Sequence, residues 1–134
     1  MSDDQRRRVE DARVARLATV DAQGRPHLVP ICFALAGETI YSAVDRKPKR
    51  SSRLKRLDNV RANPRVEVLV DEYGEDWSTL WWVRLSGRGR VLEQGEERTR
   101  ALELLADKYP QYRAEPPEGA VLAVDVDRWS DWQA

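Results

Sequence analysis

The chain is short of the residues on which several kinds of protein depend. It has one cysteine, Cys32, among 134 residues, so no intramolecular disulfide can form. It has one histidine, His27, and together with a single thiol this leaves almost nothing for a zinc site. No run approaches the ~18 uninterrupted apolar residues of a spanning helix. The opening Met-Ser-Asp-Asp-Gln-Arg-Arg-Arg lacks the apolar core of a secretory signal. Nor is there a Gly-rich dinucleotide fingerprint, a P-loop, a nucleophile elbow or a pair of spaced carboxylates. These absences point to a cytoplasmic chain with no bound metal, no membrane partner and no catalytic side chain on show. A reaction here is then carried by a cofactor that the protein binds and orients.

What is present suits one globular domain, residues 1–134, with 41% hydrophobic and 34% charged residues. Twenty-three bases balance twenty-three acids, but unevenly. Between Arg46 and Arg65 nine bases meet one acid, Asp58, so that window carries +8 and the remainder −8. A solvated helix face is the plain reading of such a run, yet an ordinary surface helix mixes signs. One positive segment in a neutral chain reads better as a local anion site, with Arg and Lys available for charge-assisted bonds. A general polyanion binder would carry excess positive charge overall, so nucleic acid is not an expected partner.

Periodicity places this segment among strands. Ser2-Asp3-Asp4-Gln5 has the form of a capping box and starts a helix that runs to about Ala12, with a thin apolar face of Val9 and Ala12. Arg16 to Val20 and Pro26 to Phe33 read as strands around a turn in which Gly24 takes the left-handed conformation. Pro30 cannot donate to a ladder and marks an edge, a bulge or a break facing a ligand. Thr39 to Val44 forms a third strand, and Leu54, Leu57 and Val60 stripe a helix that Asn63-Pro64 ends. Arg65 to Asp71 and Trp82 to Leu92 alternate as strands, and Gly87 and Gly89 on an apolar face suggest a strong bend. An amphipathic helix from Glu96 to Tyr109 and a strand from Ala120 to Val126 complete the chain. The expected fold is mainly β: a six-stranded antiparallel barrel with short flanking helices.

Five tryptophans stand out, three of them in Asp76-Trp77-Ser78-Thr79-Leu80-Trp81-Trp82. Aromatic walls suit a flat heterocycle, a core or a subunit interface. Adjacent on a strand, Trp81 and Trp82 must face opposite sides of the sheet. His27 has no orienting partner in the sequence and reads as a surface or hydrogen-bonded structural residue; Cys32 reads as a small buried hydrophobe.

Ala15 to His27 resembles the opening hairpin of the pyridoxamine 5′-phosphate oxidase-like split β-barrel flavoproteins, and Leu57 to Val66 resembles their helix-to-strand junction. The stretch from Asp76 to Arg84 is similar to that of the actinobacterial subgroup using the deazaflavin coenzyme F420. The resemblance implies a split β-barrel homodimer with the cofactor between subunits. It implies an oxidoreductase that moves hydride to or from a small-molecule substrate, with FMN as the alternative cofactor. A non-catalytic carrier of a flavin-like or haem-like ligand is the remaining alternative. By position, Lys55 and Arg56 correspond to the pair that contacts cofactor phosphate, and Lys49 and Arg53 join them on the acidic tail. Tyr41, Ser42, Ala43 and Val44 are implied to line the ring system, and Trp77 and Ser78 to approach its edge. Pyridoxamine 5′-phosphate oxidase has Arg-Gln-Val-Arg-Val-Glu-Gly where this chain has Trp81-Trp82-Val83-Arg84-Leu85-Ser86-Gly87. That departure points away from a pyridoxine phosphate substrate.

Overall fold

In the computed structural model, residues 2–44 and 52–134 are described, the side chains of 52–54 excepted. Seven strands form one antiparallel sheet: β1 (Ala15–Val20), β2 (Pro26–Ile31), β3 (Ala34–Ala36), β4 (Thr39–Ala43), β5 (Arg65–Glu72), β6 (Trp81–Leu92) and β7 (Val121–Gln133). Among the described residues four α-helices accompany it: α1 (Asp3–Asp11), α2 (Ser52–Ala62), α3 (Glu96–Lys108) and α4 (Pro110–Ala114). The spatial order is β2-β1-β5-β6-β7-β4-β3, a curled half-barrel whose end strands β2 and β3 are not paired to each other.

Seven strands replace the expected six because Ala34–Ala36, between the expected second and third strands, forms a short strand of its own, and the run from Pro26 to Phe33 stops early. The Tyr109 hydroxyl accepts from the Phe33 backbone N–H at 3.1 Å and points its one proton between the Arg13 carbonyl at 2.8 Å and the Phe33 carbonyl at 3.1 Å, which engages Phe33 outside any strand ladder. β2 ends at Ile31, and Ala34–Ala36 pairs separately with β4. β7 also outruns its expected end at Val126. Its polar second half pairs with β6 as far as Trp81–Gln133, through a register shift at Ser86/Gly87. The long partner strand overrides the weak propensity of Asp125, Asp127 and Arg128.

Alternation fills the interior. Val66, Val68 and Val70 of β5 and Val83 and Leu85 of β6 are buried with Leu17, Ile40, Leu122 and Val124. α1 contributes more than its thin face suggested, since Val9 is fully buried in this cluster. Its expected capping box is present, with the Ser2 hydroxyl accepting from the Gln5 N–H. Leu57 and Val60 carry α2 into the same cluster, while α3 covers the other face of β4 through Ala101, Leu105 and Tyr109. The two β6 glycines serve close approach. A Cβ on Gly87 would lie 2.3 Å from the Asp125 carbonyl oxygen, and one on Gly89 would lie 2.8 Å from Val60 Cγ1. Gly89 therefore lets α2 settle directly on the sheet.

Candidate functional site

Five residues between Val20 and Pro26 build one wall. Gly24 has φ +82°, the left-handed value its turn requires. Asp21 Oδ1 accepts from the Gln23 and Arg25 N–H groups at 2.9 Å each, and Oδ2 accepts from Arg25 Nε at 2.9 Å. The Arg25 N–H and guanidinium, in that order, hold the Asp21 carboxyl down at about 2 against burial. Lys55 Nζ of α2 reaches the same Oδ2 at 3.7 Å. One turn further along, Asn59 Nδ2 donates to Thr19 Oγ1 at 3.0 Å, both residues being buried. These contacts seat the basic helix on the β1–β2 hairpin.

The seat is electropositive. Arg25 and Lys55 share the single Asp21 carboxylate, which leaves them one positive charge in excess. Arg56 is buried beside them, at 9% exposure. His27 belongs to the inward-facing series His27, Val29, Ile31, while Pro26, Leu28 and Pro30 are exposed. Burial first, then the charges of Lys55 and Arg56, push its imidazole below the ordinary histidine value. Its Nδ1 is enclosed and has no hydrogen-bond partner among the described residues.

β4 reaches this end of the sheet. Its residues pair with β7 from Val121 to Asp125, and Val44 shares a buried cluster with Leu57 and Val60 of α2. Tyr41, Ser42, Ala43 and Val44 are all buried, so their side chains do not line an open wall. Tyr41 turns toward α3, where its hydroxyl donates to Glu97 Oε2 at 2.7 Å and is pushed up to about 12, chiefly by burial. Beyond Tyr41, among the described residues, the strand pairs with β7 alone. Lys49 and the Arg53 side chain lie outside the described residues.

Trp77 and Ser78 fall elsewhere. Asp76 caps the single helical turn Trp77–Thr79, and its carboxylate accepts from the Ser78 hydroxyl at 2.6 Å. Trp77 is 76% exposed. The turn follows Glu72 at the far end of β5, whereas Asp21 lies past the residue pair Ala18–Glu67 near its start. The eight residues of β5 span about 23 Å at ~3.3 Å per residue. One copy of the chain does not bring Trp77 to Lys55. As expected, Trp81 and Trp82 take opposite faces: Trp81 packs on the core under Arg8, and Trp82 stacks with Arg84 at 5.0 Å.

A family profile described as Pyridoxamine 5′-phosphate oxidase matches residues 1–133. The chain belongs to this family. Solved structures share the family fold. A conserved hypothetical protein from Mycobacterium tuberculosis superposes with TM-score 0.79 at 22% identity, covering 99% of this chain and 85% of the other. A FAD-binding protein from Mesorhizobium loti gives TM-score 0.73 at 23% identity, over 98% and 94% of the two chains. The haem storage protein HutZ from Vibrio cholerae gives 0.76 at 14% identity, over 96% and 90%. No curated protein matches the chain.

Within this family fold the α2–hairpin seat fits the anionic end of a cofactor: cations in excess of carboxylate, with an enclosed imidazole nitrogen beside them. Among the described residues no group of three His, Cys, Asp or Glu could hold a metal ion, and no helix is long and apolar enough to cross a membrane. Sequence reasoning missed Thr19, Asp21, Arg25 and Asn59. The Asp-x-x-Gly-Arg turn signalled the local Asp21–Arg25 bond, but nothing in the sequence signalled the reach to Lys55.

Proposed function

We propose that the chain, as one domain, is an oxidoreductase that binds coenzyme F420 between two copies of itself and acts on a small organic substrate. The observation that carries this reading is the excess of cations that α2 and the hairpin hold at one end of the sheet. Lys55 and Arg56 bind the cofactor phosphate, with Lys49 and Arg53 on the acidic tail. The backbone edge from Ser42 to Val44 that faces away from β7 orients the ring. Trp77 and Ser78 reach that ring only from a second copy, because they stand at the opposite end of β5 in their own. Exposed Leu28, Tyr73, Trp77 and Trp132 supply apolar surface for such a homodimer. When bound, a deazaflavin supplies hydride exchange at its C5. No side chain of this protein is assigned as acid or base. FMN is the alternative cofactor, since the same cations serve its phosphate. Some proteins of this fold are described as FAD-binding or haem-storing, so a carrier without turnover is the second reading.

Titrating purified protein with coenzyme F420, FMN and haemin, read by quenching of the five tryptophans, separates the cofactors, and turnover across a panel of acceptors separates the oxidoreductase from the carrier. Lys55→Glu and Arg56→Glu are each expected to weaken the cofactor by about tenfold or more, the worth of one charge-assisted bond. Lys55 is 46% exposed at its side chain, so solvent screens the repulsion its variant meets from Asp21, and circular dichroism confirms the fold before binding is read. Unchanged affinity in folded Lys55→Glu, or a monomeric protein, would overturn the proposal.

A further inference from the structure

His27 has no part in the proposed cofactor site, although it is the chain's one imidazole and sits inside the anion seat. Its strand position opposite Thr19 is fixed by the β1–β2 register, and Thr19 is in turn bonded to Asn59 of α2. The side chain therefore points under the same helix face that carries Lys55 and Arg56. Among the described side chains of α2, the charges that face it are these two cations. The turn supplies Asp21 and Arg25, which are bonded to each other. β2 itself adds only Val29 on the same face.

We propose that His27 is a third ligand of the anion held by Lys55 and Arg56, and that it takes up one proton from solvent as the anion binds. This rests on the anion seat of the preceding reading. In the free protein a charged imidazole would be a further cation, half-buried beside two others, so the neutral form is favoured. An oxyanion placed among these groups reverses the local field and favours the imidazolium, which donates a charge-assisted hydrogen bond to it. Binding and protonation are then linked: whatever the anion adds to the imidazole pKa, the proton adds to anion affinity. Affinity rises as pH falls through the liganded pKa and levels off below the free one. Asp21, held at about 2, stays a carboxylate throughout this range. Among the groups that face the imidazole, no other is of a type that titrates near neutrality.

Sulfate is the probe, because it does not itself titrate there, and ionic strength is held constant with chloride. The ring protons of the only histidine report its pKa directly by NMR, with and without saturating sulfate. The expected result is a rise of about one unit, and sulfate binding about tenfold tighter on the acid side than on the alkaline side. His27→Gln keeps a donor but cannot charge, so its sulfate affinity should be flat with pH. If sulfate binds and Lys55→Glu abolishes the binding, but the imidazole titrates unchanged, His27 is no ligand although the anion seat stands. If sulfate does not bind, or binds equally well to Lys55→Glu, the seat itself falls and this proposal with it. The NMR titration of the unaltered protein decides the matter even if His27→Gln fails to fold.

Discussion

Replacing Gly89 by alanine tests how closely the basic helix is pressed onto the sheet. The added Cβ would meet Val60 Cγ1 at 2.8 Å and Cγ2 at 3.2 Å, against roughly 3.5–4.0 Å for carbon atoms at rest. Val60 is 3% exposed and β-branched in a helix, so rotating its side chain away is not open to it. α2 must lift instead, by something under ~1 Å, at a cost of about 1–3 kcal/mol for overpacking. Alanine in a strand interior regains roughly 0.5–1 kcal/mol relative to glycine, so the net loss expected is about 1–2 kcal/mol. Val60→Ala alone opens a cavity and costs a similar amount, about 1–3 kcal/mol. In the double variant the new methyl group occupies the space that valine vacates. The two losses should therefore fall short of adding by about 1 kcal/mol or more. Urea unfolding followed by tryptophan fluorescence measures all four proteins, with a shift in midpoint at constant slope as the sign of a pure stability effect. Gly87→Ala is the control, because its Cβ would strike the backbone oxygen of Asp125 at 2.3 Å and no side-chain truncation relieves that. Losses that simply add for Gly89 and Val60, within ~0.5 kcal/mol, would show that α2 does not rest on Gly89.

Two further outcomes follow from charge. Lys108 Nζ is enclosed 4.0 Å from the Phe33 ring centroid, and burial, with Arg13 nearby, pulls its amine down to about 8. The unfolded chain then binds that proton more strongly, so stability should climb as pH rises from about 8 toward the ordinary lysine value of 10.5. Solvent screening of a half-buried group and attraction to the ring both reduce the penalty. Lys108→Met should therefore gain only about 1 kcal/mol at neutral pH, an advantage that fades in alkali; a variant less stable than wild type at neutral pH would contradict this. Asp21, lowered from 3.8 to about 2, stabilises the hairpin fully above its ordinary value and loses that contribution as pH falls to about 2. Asp21→Asn should accordingly be less stable near neutrality, with the gap from wild type closing in acid, as thermal melts across that range will record.

The family itself was readable in short runs of sequence, because the hairpin turn, the helix-ending Asn63-Pro64 and the alternation of Val66, Val68 and Val70 are local features. Local physics also placed the capping box at Ser2 and the opposite faces of Trp81 and Trp82. Long-range partners decided the rest. Tyr109, from the end of α3, engages Phe33 at the expected end of the second strand, and β4 pairs with Ala34–Ala36 as a seventh strand beyond the expected six. β6 draws the polar tail of β7 into the sheet as far as Gln133. The side chains of Tyr41 and Ala43 pack under α3 with Ala101 and Leu105.

By itself the sequence determined where most segments become helix or strand and which of them carries the positive charge, since these depend mainly on neighbours within a few residues. Only the tertiary structure decided that Asp21 and His27 meet that charge while Trp77 stands at the far end of β5. Which distant residues meet is set by sheet order and register, and these arise from packing the whole chain at once.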